Sequence, residues 1–346
     1  KDLLAISPKD VQLLSSIERP LVKLKFNILR NQNKEYSYTN FVFAKLPDDE
    51  NTYKLATAAR KENIDFLIYK EEAIQEDIKV TYSDNKNIII SGDKTLFPKY
   101  DYVLQKEYQN SKEYFEQNGG VFKATLSQFN KRIKPSIGIY MSMKSYESSI
   151  AVNIPSKGIT AIIKVPNVFT DFDNCMEDIK GIDDNTPRLV ENYKKTFPNV
   201  FLNEAPLENT HGFETILTLS AHLIGLKDAK AFEDKAFEFN GKSGINVDFN
   251  VVKIDGINYL DYRRIVQSIM SYKMADVDNA MLAFSFYESL SEFITDNITK
   301  IKDEINSSDV VLCGDMFANS NLLSKTTKAL KTYNIIIPNQ YPLDIA

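Results

Sequence analysis

The chain has 346 residues, of which 43% are hydrophobic, and this length supports two or three domains with their own cores. Its net charge of −5 argues against a nucleic-acid partner, because no excess of basic residues is available to neutralise phosphates. No apolar run approaches the ~18 residues that a membrane helix needs, and no signal peptide opens the chain. We therefore expect a cytoplasmic protein with no membrane partner. Two cysteines and two histidines exclude a disulfide framework and any site built from several imidazoles.

The N-terminal part predicts strands alternating with helices. A short helix is expected over 8–14, and a second over 48–61, with acids in its first turn and Arg60 and Lys61 in its last. Apolar or alternating runs predict strands at 21–26, 41–44, 64–69 and 87–91. This alternation is typical of an α/β layer.

A polar, charged segment follows at 106–134, and we interpret it as a linker because Gly119 and Gly120 lie in its middle. Beyond it, three apolar runs joined by short turns predict an antiparallel meander. The runs lie at 137–141, 149–154 and 159–165.

The second half predicts further mixed structure. Helices are expected at 173–195, 213–226, 262–270 and 326–333, and strands at 199–202, 310–313 and 335–337. The region 239–262 is expected to be β-rich, with a turn at Asp255-Gly256. A long amphipathic helix is predicted over 278–305, capped by Asp276 or Asp278. Periodicity thus predicts an α/β or α+β protein with mixed sheets.

The segment 309–323 is an apolar strand, a turn at Gly314 and then a helix. A glycine turn between a strand and a helix N-terminus can hold phosphate, because the main chain can approach closely and the first N–H groups of the helix point at the anion. The alternative is an ordinary strand–turn–helix with a capping residue.

This segment resembles the L-S-G-G-V-F-x-N-x-x-L motif of the HypF-type carbamoyltransferases that mature [NiFe]-hydrogenases, with Asp315 in place of the second glycine. Other stretches resemble motifs of the same family, in the family's order. They lie at 15–22, 45–47, 89–92, 138–150, 186–193 and 218–222. The resemblance implies a partial YrdC-like α/β domain at 1–105. It further implies a duplicated actin-like ATPase (ASKHA) fold at 135–346, with subdomains at about 135–226 and 227–346.

The resemblance also implies site residues. Lys144, Gly314 and Asn319 correspond to nucleotide-binding positions, and His222 and Asp344 to metal ligands. An exposed turn lysine, a capping asparagine and a packed helical histidine are the alternatives for Lys144, Asn319 and His222.

Several departures from the family concern the same chemistry. Thr218 replaces the first histidine of the metal motif, so that only His222 remains of the pair. The residues at 238–244 replace the family's D-G-T-G-Y-G phosphate loop, and Asp315 brings a carboxylate to a position where it would repel phosphate.

These departures predict an accessory or scaffold protein of [NiFe]-hydrogenase maturation that has lost most catalytic residues, a pseudoenzyme rather than an enzyme. Its expected partners are the hydrogenase large subunit or other maturation proteins. One alternative is an active ATP-dependent carbamoyl- or adenylate-handling transferase with a rebuilt site, using ATP with Mg²⁺ or another divalent metal. Another alternative is a non-catalytic small-molecule sensor.

Overall fold

The computed structural model describes residues 3–15, 19–27, 37, 39–67, 78–83, 86–92, 111–143, 148–168, 171–202, 207, 212–338 and 343–344. The chain forms two compact units, Lys1–Glu76 and Asp77–Ala346. The YrdC-like domain at 1–105 and the actin-like fold at 135–346 were predicted from the family resemblance, and they stay predictions.

The elements of the first unit are α1 (Pro8–Leu14), β1 (Val22–Lys25), β2 (Phe41–Ala44) and α2 (Glu50–Lys61). Strands β1 and β2 pair antiparallel, and Leu14, Val22 and Leu24 form a small core beside them. Helix α1 begins where Ser7 and Asp10 each accept a hydrogen bond from the other's backbone N–H. These four elements were all predicted.

The elements of the second unit are β3 (Ile78–Ser83), β4 (Lys86–Gly92), α3 (Ser111–Gln117), α4 (Val121–Gln128), β5 (Ser136–Tyr140), β6 (Ser149–Ile154), β7 (Gly158–Lys164), α5 (Phe172–Lys180), α6 (Thr186–Thr196), α7 (Pro198–Leu202), α8 (Glu214–Leu223), α9 (Ala229–Glu238), β8 (Val251–Ile254), β9 (Ile257–Leu260), α10 (Tyr262–Met274), α11 (Asn279–Ile305), β10 (Asp309–Cys313), a 3₁₀ turn (Asp315–Ala318), α12 (Ser320–Ala329) and β11 (Asn334–Ile336).

Seven of these strands form one mixed sheet in the order β11-β10-β5-β6-β7-β9-β8. The predicted meander is confirmed, because β5, β6 and β7 pair antiparallel in sequence. Strand β10 runs parallel to both of its neighbours, β11 and β5, and its last residue, Cys313, lies opposite Tyr140 at the end of β5. The carboxyl ends of two central strands therefore meet at the same edge. The mixed α/β class predicted from the sequence is confirmed.

Helix α11 is the long helix expected from the apolar stripe. Asp278 caps it, since its carboxylate accepts hydrogen bonds from the N–H groups of Ala280 and Met281. The stripe residues Phe284, Tyr287, Leu290, Ile294, Ile298 and Ile301 are buried, and Met281 and Ile305 are half-buried. The helix packs on α9 and α12 and reaches strand β5.

Several local predictions were wrong. Residues 64–67 lie outside any strand, and the last two residues of the predicted strand 64–69 lie outside the described residues. The run 199–202 belongs to helix α7, and the residues 239–250 form no strand. The predicted helix over 173–195 is two helices, α5 and α6.

The predicted linker at 106–134 contains helices α3 and α4. Val121, Phe122 and Leu126 of α4 are buried in a cluster with Val311 and Ile336 of the sheet. Helices α3 and α4 are therefore part of the core of the second unit, because their buried apolar side chains pack with the sheet while Lys123 of α4 is exposed.

Candidate functional site at the ends of strands β5 and β10

Gly314 follows β10 and brings two turns into contact. One is the turn at 314–316 after β10, and the other is the turn that begins at 141–143 after β5. Its φ is +101°, and a Cβ added there would lie 2.0 Å from the carbonyl oxygen of Met141. The N–H of Met316 donates to that same oxygen at 3.1 Å, and the N–H of Met141 donates to the Cys313 carbonyl at 3.0 Å. Only glycine combines this φ with such a close approach. In this structure the glycine therefore packs the chain against itself.

The carboxylate of Asp315 connects the two turns. Its Oδ1 accepts a hydrogen bond from the N–H of Met143 at 2.6 Å. The N–H of Asp315 donates to Oδ2 of Asp344 at 3.2 Å. The carboxylate expected to repel phosphate thus serves as an acceptor for a backbone donor just beyond β5.

Asp344 is fully buried beside this turn, with 0% of its surface exposed. Its Oδ1 accepts from the hydroxyl of Tyr140 at 2.7 Å, and the preceding carbonyl, of Leu343, accepts from the N–H of Gly314 at 2.6 Å. Burial, and then the charge of Asp344, hold the pKa of Tyr140 well above its ordinary value. Burial likewise raises the pKa of Cys313. The phenol therefore stays protonated and acts as a donor to the buried carboxylate.

Asn319 is the N-cap of helix α12. Its side-chain oxygen accepts from the N–H groups of Asn321 and Leu322 at 3.1 and 3.2 Å. This geometry is the capping alternative for Asn319, in which the amide oxygen bonds the helix's own first turn. Lys144, the third predicted nucleotide contact, lies outside the described residues.

His222 lies on α8 among aromatic side chains. Its Nε2 is 2.7 Å from the carbonyl oxygen of Val200, and its ring meets Phe172 edge to face with centroids 5.2 Å apart. Because a carbonyl can only accept, Nε2 carries the hydrogen of this bond. Thr218, one turn earlier, is buried. Within the described ranges, no three His, Cys, Asp or Glu side chains are placed to hold one metal ion.

The structure thus brings Gly314, Asp315 and Asp344 together at the end of β10. It places His222 in contact with α5 and α7, and Asn319 at the start of α12. Tyr140 and Gly212 also belong to this region and were not predicted from the sequence. A Cβ at Gly212 would lie 2.3 Å from the carbonyl oxygens of Met143 and Ser142, so a second glycine closes the same turn. A tyrosine at the end of a predicted strand and a glycine before a predicted helix are the signals that could have found them.

The glycine turn at 241–244, predicted to stand in place of a phosphate loop, also bonds to the protein itself. The N–H of Gly244 donates to Oε2 of Glu288 at 2.5 Å, and the N–H of Ile245 donates to the hydroxyl of Ser285 at 2.9 Å. The other carboxylate oxygen of Glu288 accepts from the ammonium group of Lys325. A carboxylate of the chain therefore occupies this glycine turn too.

Residues 220–344 match the family described as the second subdomain of the Kae1-like carbamoyltransferase domain. The resemblance to HypF-type carbamoyltransferases is confirmed. The chain is also 27% identical over 168 residues to Protein HydE of Wolinella succinogenes, a match that covers 45% of this chain and 31% of HydE. The chain thus spans about a third of the length of this curated relative.

Two solved HypF structures share the fold. Full-length HypF in its phosphate- and nucleotide-bound form superposes with a TM-score of 0.63 at 14% identity, covering 99% of this chain and 75% of that one. HypF of T. kodakarensis superposes with a TM-score of 0.60 at 12% identity, covering 99% and 63%. In the part of the chain that the structure describes, no helix has the length and hydropathy to cross a bilayer.

Proposed function

We propose that this HypF-like chain is an accessory protein of [NiFe]-hydrogenase maturation that does not itself transfer a carbamoyl group. The match of residues 220–344 to the carbamoyltransferase family and the partial similarity to HydE support the relation to maturation proteins. One observation supports the proposed loss of catalysis: the polar groups of the candidate site form hydrogen bonds with one another. Asp344 accepts from Tyr140 and from Asp315, and Asp315 accepts from Met143.

A triphosphate at this turn would have to displace those contacts. The N–H groups of Gly314 and Asp315 already donate to Leu343 and Asp344. Each buried polar group left without its partner costs about 1–3 kcal/mol. The incoming phosphates would also approach two carboxylates, and like charges repel. The site is therefore poorly suited to a nucleotide.

The metal ligands implied by the resemblance lack the further ligands that a metal site needs. Nε2 of His222 donates to the Val200 carbonyl, so Nδ1 is the ring nitrogen with a lone pair. Both oxygens of Asp344 accept hydrogen bonds. Within the described ranges, neither residue belongs to a group of three His, Cys, Asp or Glu side chains placed to hold a metal ion.

The accessory role would be exercised through a protein partner, and we propose the hydrogenase large subunit or another maturation protein. Copurification from cells that express hydrogenase tests this part. An association that survives high salt and includes one of these proteins supports the proposal, and capture of neither contradicts it.

The catalytic part is tested by melting the protein with Mg–ATP, with and without carbamoyl phosphate. A ligand at ~100 times its dissociation constant adds ~2.7 kcal/mol of stability, so binding would be visible. We expect no shift with millimolar nucleotide. A saturable shift would contradict the proposal and favour the enzyme or the sensor.

A cellular test uses His222→Gln, whose side-chain amide can still donate to the Val200 carbonyl but offers no imidazole. The proposal expects full hydrogenase activity in a deletion strain that carries this variant. His222→Ala is the matched control, because it removes both the donor and the packing on Phe172. Loss of hydrogenase activity in a His222→Gln protein that melts like the wild type would contradict the proposal.

A further inference from the structure

We propose that an exposed basic surface near the amino end of strand β5 docks a protein surface whose carboxylates surround an apolar pocket. The basic surface consists of the turn at 131–134 and the hairpin tip at 155–159 between β6 and β7. This inference deepens the proposed function and rests on it, because it names where the partner protein binds and what chemistry that partner presents. The candidate site described above lies at the other end of β5.

Ile133 is the most exposed large apolar side chain in the part of the chain that the structure describes, with 80% of its surface exposed. It lies in a turn that the N–H of Lys134 closes by donating to the carbonyl of Lys131 at 3.1 Å. A single exposed isoleucine is ordinary on a protein surface. Its fixed position and its charged neighbours are the features that point to a partner.

Asn153 of β6 holds this turn in place. Its side-chain amide donates to the carbonyl of Arg132 at 3.3 Å and to the carbonyl of Lys134 at 2.9 Å, and these two carbonyls flank Ile133. Asn153 itself is buried. Because the backbone on both sides of Ile133 is already fixed, a partner that binds this turn loses little affinity to the ordering of the chain.

The hairpin tip places a second apolar side chain on the same surface. Ile159 lies opposite Asn153 in the register of β6 and β7, and residues paired in this way point to the same face of the sheet. The side chain of Asn153 reaches the turn at 131–134, so Ile159 lies on the side of the sheet that carries this turn. Ile159 is 41% exposed. Ile133 and Ile159 are therefore the apolar part of the basic surface.

Cations surround the two isoleucines. Arg132, Lys134 and Lys157 are exposed, and Lys131 is half-buried. Lys131 pairs with Asp309 at 2.9 Å, whereas the other three form no salt bridge with any residue that the structure describes. Cations beside apolar side chains are complementary to carboxylates around an apolar pocket.

The charge of the whole chain favours a protein partner over a lipid or nucleic-acid surface. The chain carries a net charge of −5. An extended anionic surface would attract these cations but repel much of the rest of the molecule. An acidic patch on a protein is small enough to meet the basic surface alone, and it can be shaped to receive Ile133.

The first experiment captures partners from cells that express hydrogenase, with tagged wild type, Ile133→Asp, Lys134→Glu and Leu202→Asp as baits. Leu202→Asp is the matched control, because Leu202 is 76% exposed, lies outside the basic surface and receives the same change. We expect Ile133→Asp and Lys134→Glu to capture at most about a tenth of the hydrogenase large subunit or maturation protein that the wild type captures. Leu202→Asp should capture as much as the wild type, and all four baits should melt at the same temperature.

A second readout does not depend on loss of binding. A photo-crosslinking amino acid is placed at position 133 and, as its control, at position 202. We expect position 133 to cross-link to a segment of the partner that is rich in Asp and Glu, and position 202 to give no such product.

Three results would overturn the inference. One is an Ile133→Asp protein that melts like the wild type and captures the partner equally well. Another is an equal loss of capture in Leu202→Asp. The third is wild-type protein that pellets with phosphatidylglycerol vesicles while Ile133→Asp does not, which would assign the basic surface to a membrane. Failure of the proposed function appears separately, because the wild type itself then captures neither protein, and the inference fails with it.

Discussion

Replacing Gly314 by alanine tests whether backbone packing closes the turn at the site, and Gly158→Ala is its matched control. Both glycines have a positive φ, +101° and +82°, so alanine would strain the backbone at either position, by at least about 1 kcal/mol. Their surroundings differ. A Cβ at Gly158 would meet nothing within 4 Å, whereas a Cβ at Gly314 would lie 2.0 Å from the Met141 oxygen and 2.4 Å from its carbonyl carbon.

Only the Gly314→Ala variant therefore adds a contact with Met141 to the backbone strain. Overpacking of this kind costs about 1–3 kcal/mol, because the backbone must move to relieve it. We expect Gly158→Ala to lose about 1–2 kcal/mol of the free energy of unfolding, and Gly314→Ala about 2–5 kcal/mol.

Urea unfolding followed by far-UV circular dichroism measures both losses, since the chain has no tryptophan for fluorescence. A Gly314→Ala protein that is no less stable than Gly158→Ala would refute the close approach of the two turns. An unchanged slope of the transition in both variants would show that the comparison reports stability alone.

Two further predictions concern polar side chains. Tyr140→Phe removes a donor to the buried carboxylate of Asp344 and should cost about 1.5–3 kcal/mol by urea unfolding, whereas Tyr193→Phe loses a bond to a neutral carbonyl and should cost about 1 kcal/mol. Equal costs would contradict a stronger hydrogen bond at Asp344. A hydrogen bond from the Thr186 hydroxyl is the largest cause that lowers the pKa of Asp183 from 3.8 to about 2. Because the folded pKa is the lower one, this carboxylate stabilises the fold above pH 3.8 and loses that effect as the pH falls toward 2. The stability difference between the wild type and Asp183→Asn should therefore shrink across this window, and a constant difference would contradict the assignment.

Long periodic patterns in the sequence predicted their elements well. The stripe of α11 repeats at three- and four-residue steps over 27 residues, so many side chains agree on one buried face. The meander of β5, β6 and β7 was predictable because its turns are short, and neighbouring strands then pair antiparallel. In these cases local sequence and tertiary packing favour the same structure.

Short apolar runs and paired glycines were ambiguous. The run at 199–202 has no period that separates a strand from a helix, and Pro198 starts it as helix α7. Gly119 and Gly120 end α3 instead of forming a linker. Their N–H groups bond the carbonyls of Glu116 and Phe115 at 3.1 and 2.8 Å, the pattern of a Schellman motif. The same two glycines can serve either purpose, and packing of α4 on the sheet decided between them.

At the site, motif resemblance predicted the candidate residues, and tertiary contacts set their roles. The resemblance indicated Gly314, Asn319 and Asp344, and the departure at Asp315 showed that a carboxylate had entered the turn. The partners could not be predicted, because Tyr140 lies 204 residues from Asp344, and Met143 lies 172 residues from Asp315. The chemistry of a side chain is set by its residue type, which the sequence gives directly. Its hydrogen-bond partner is set by which strands the fold places side by side.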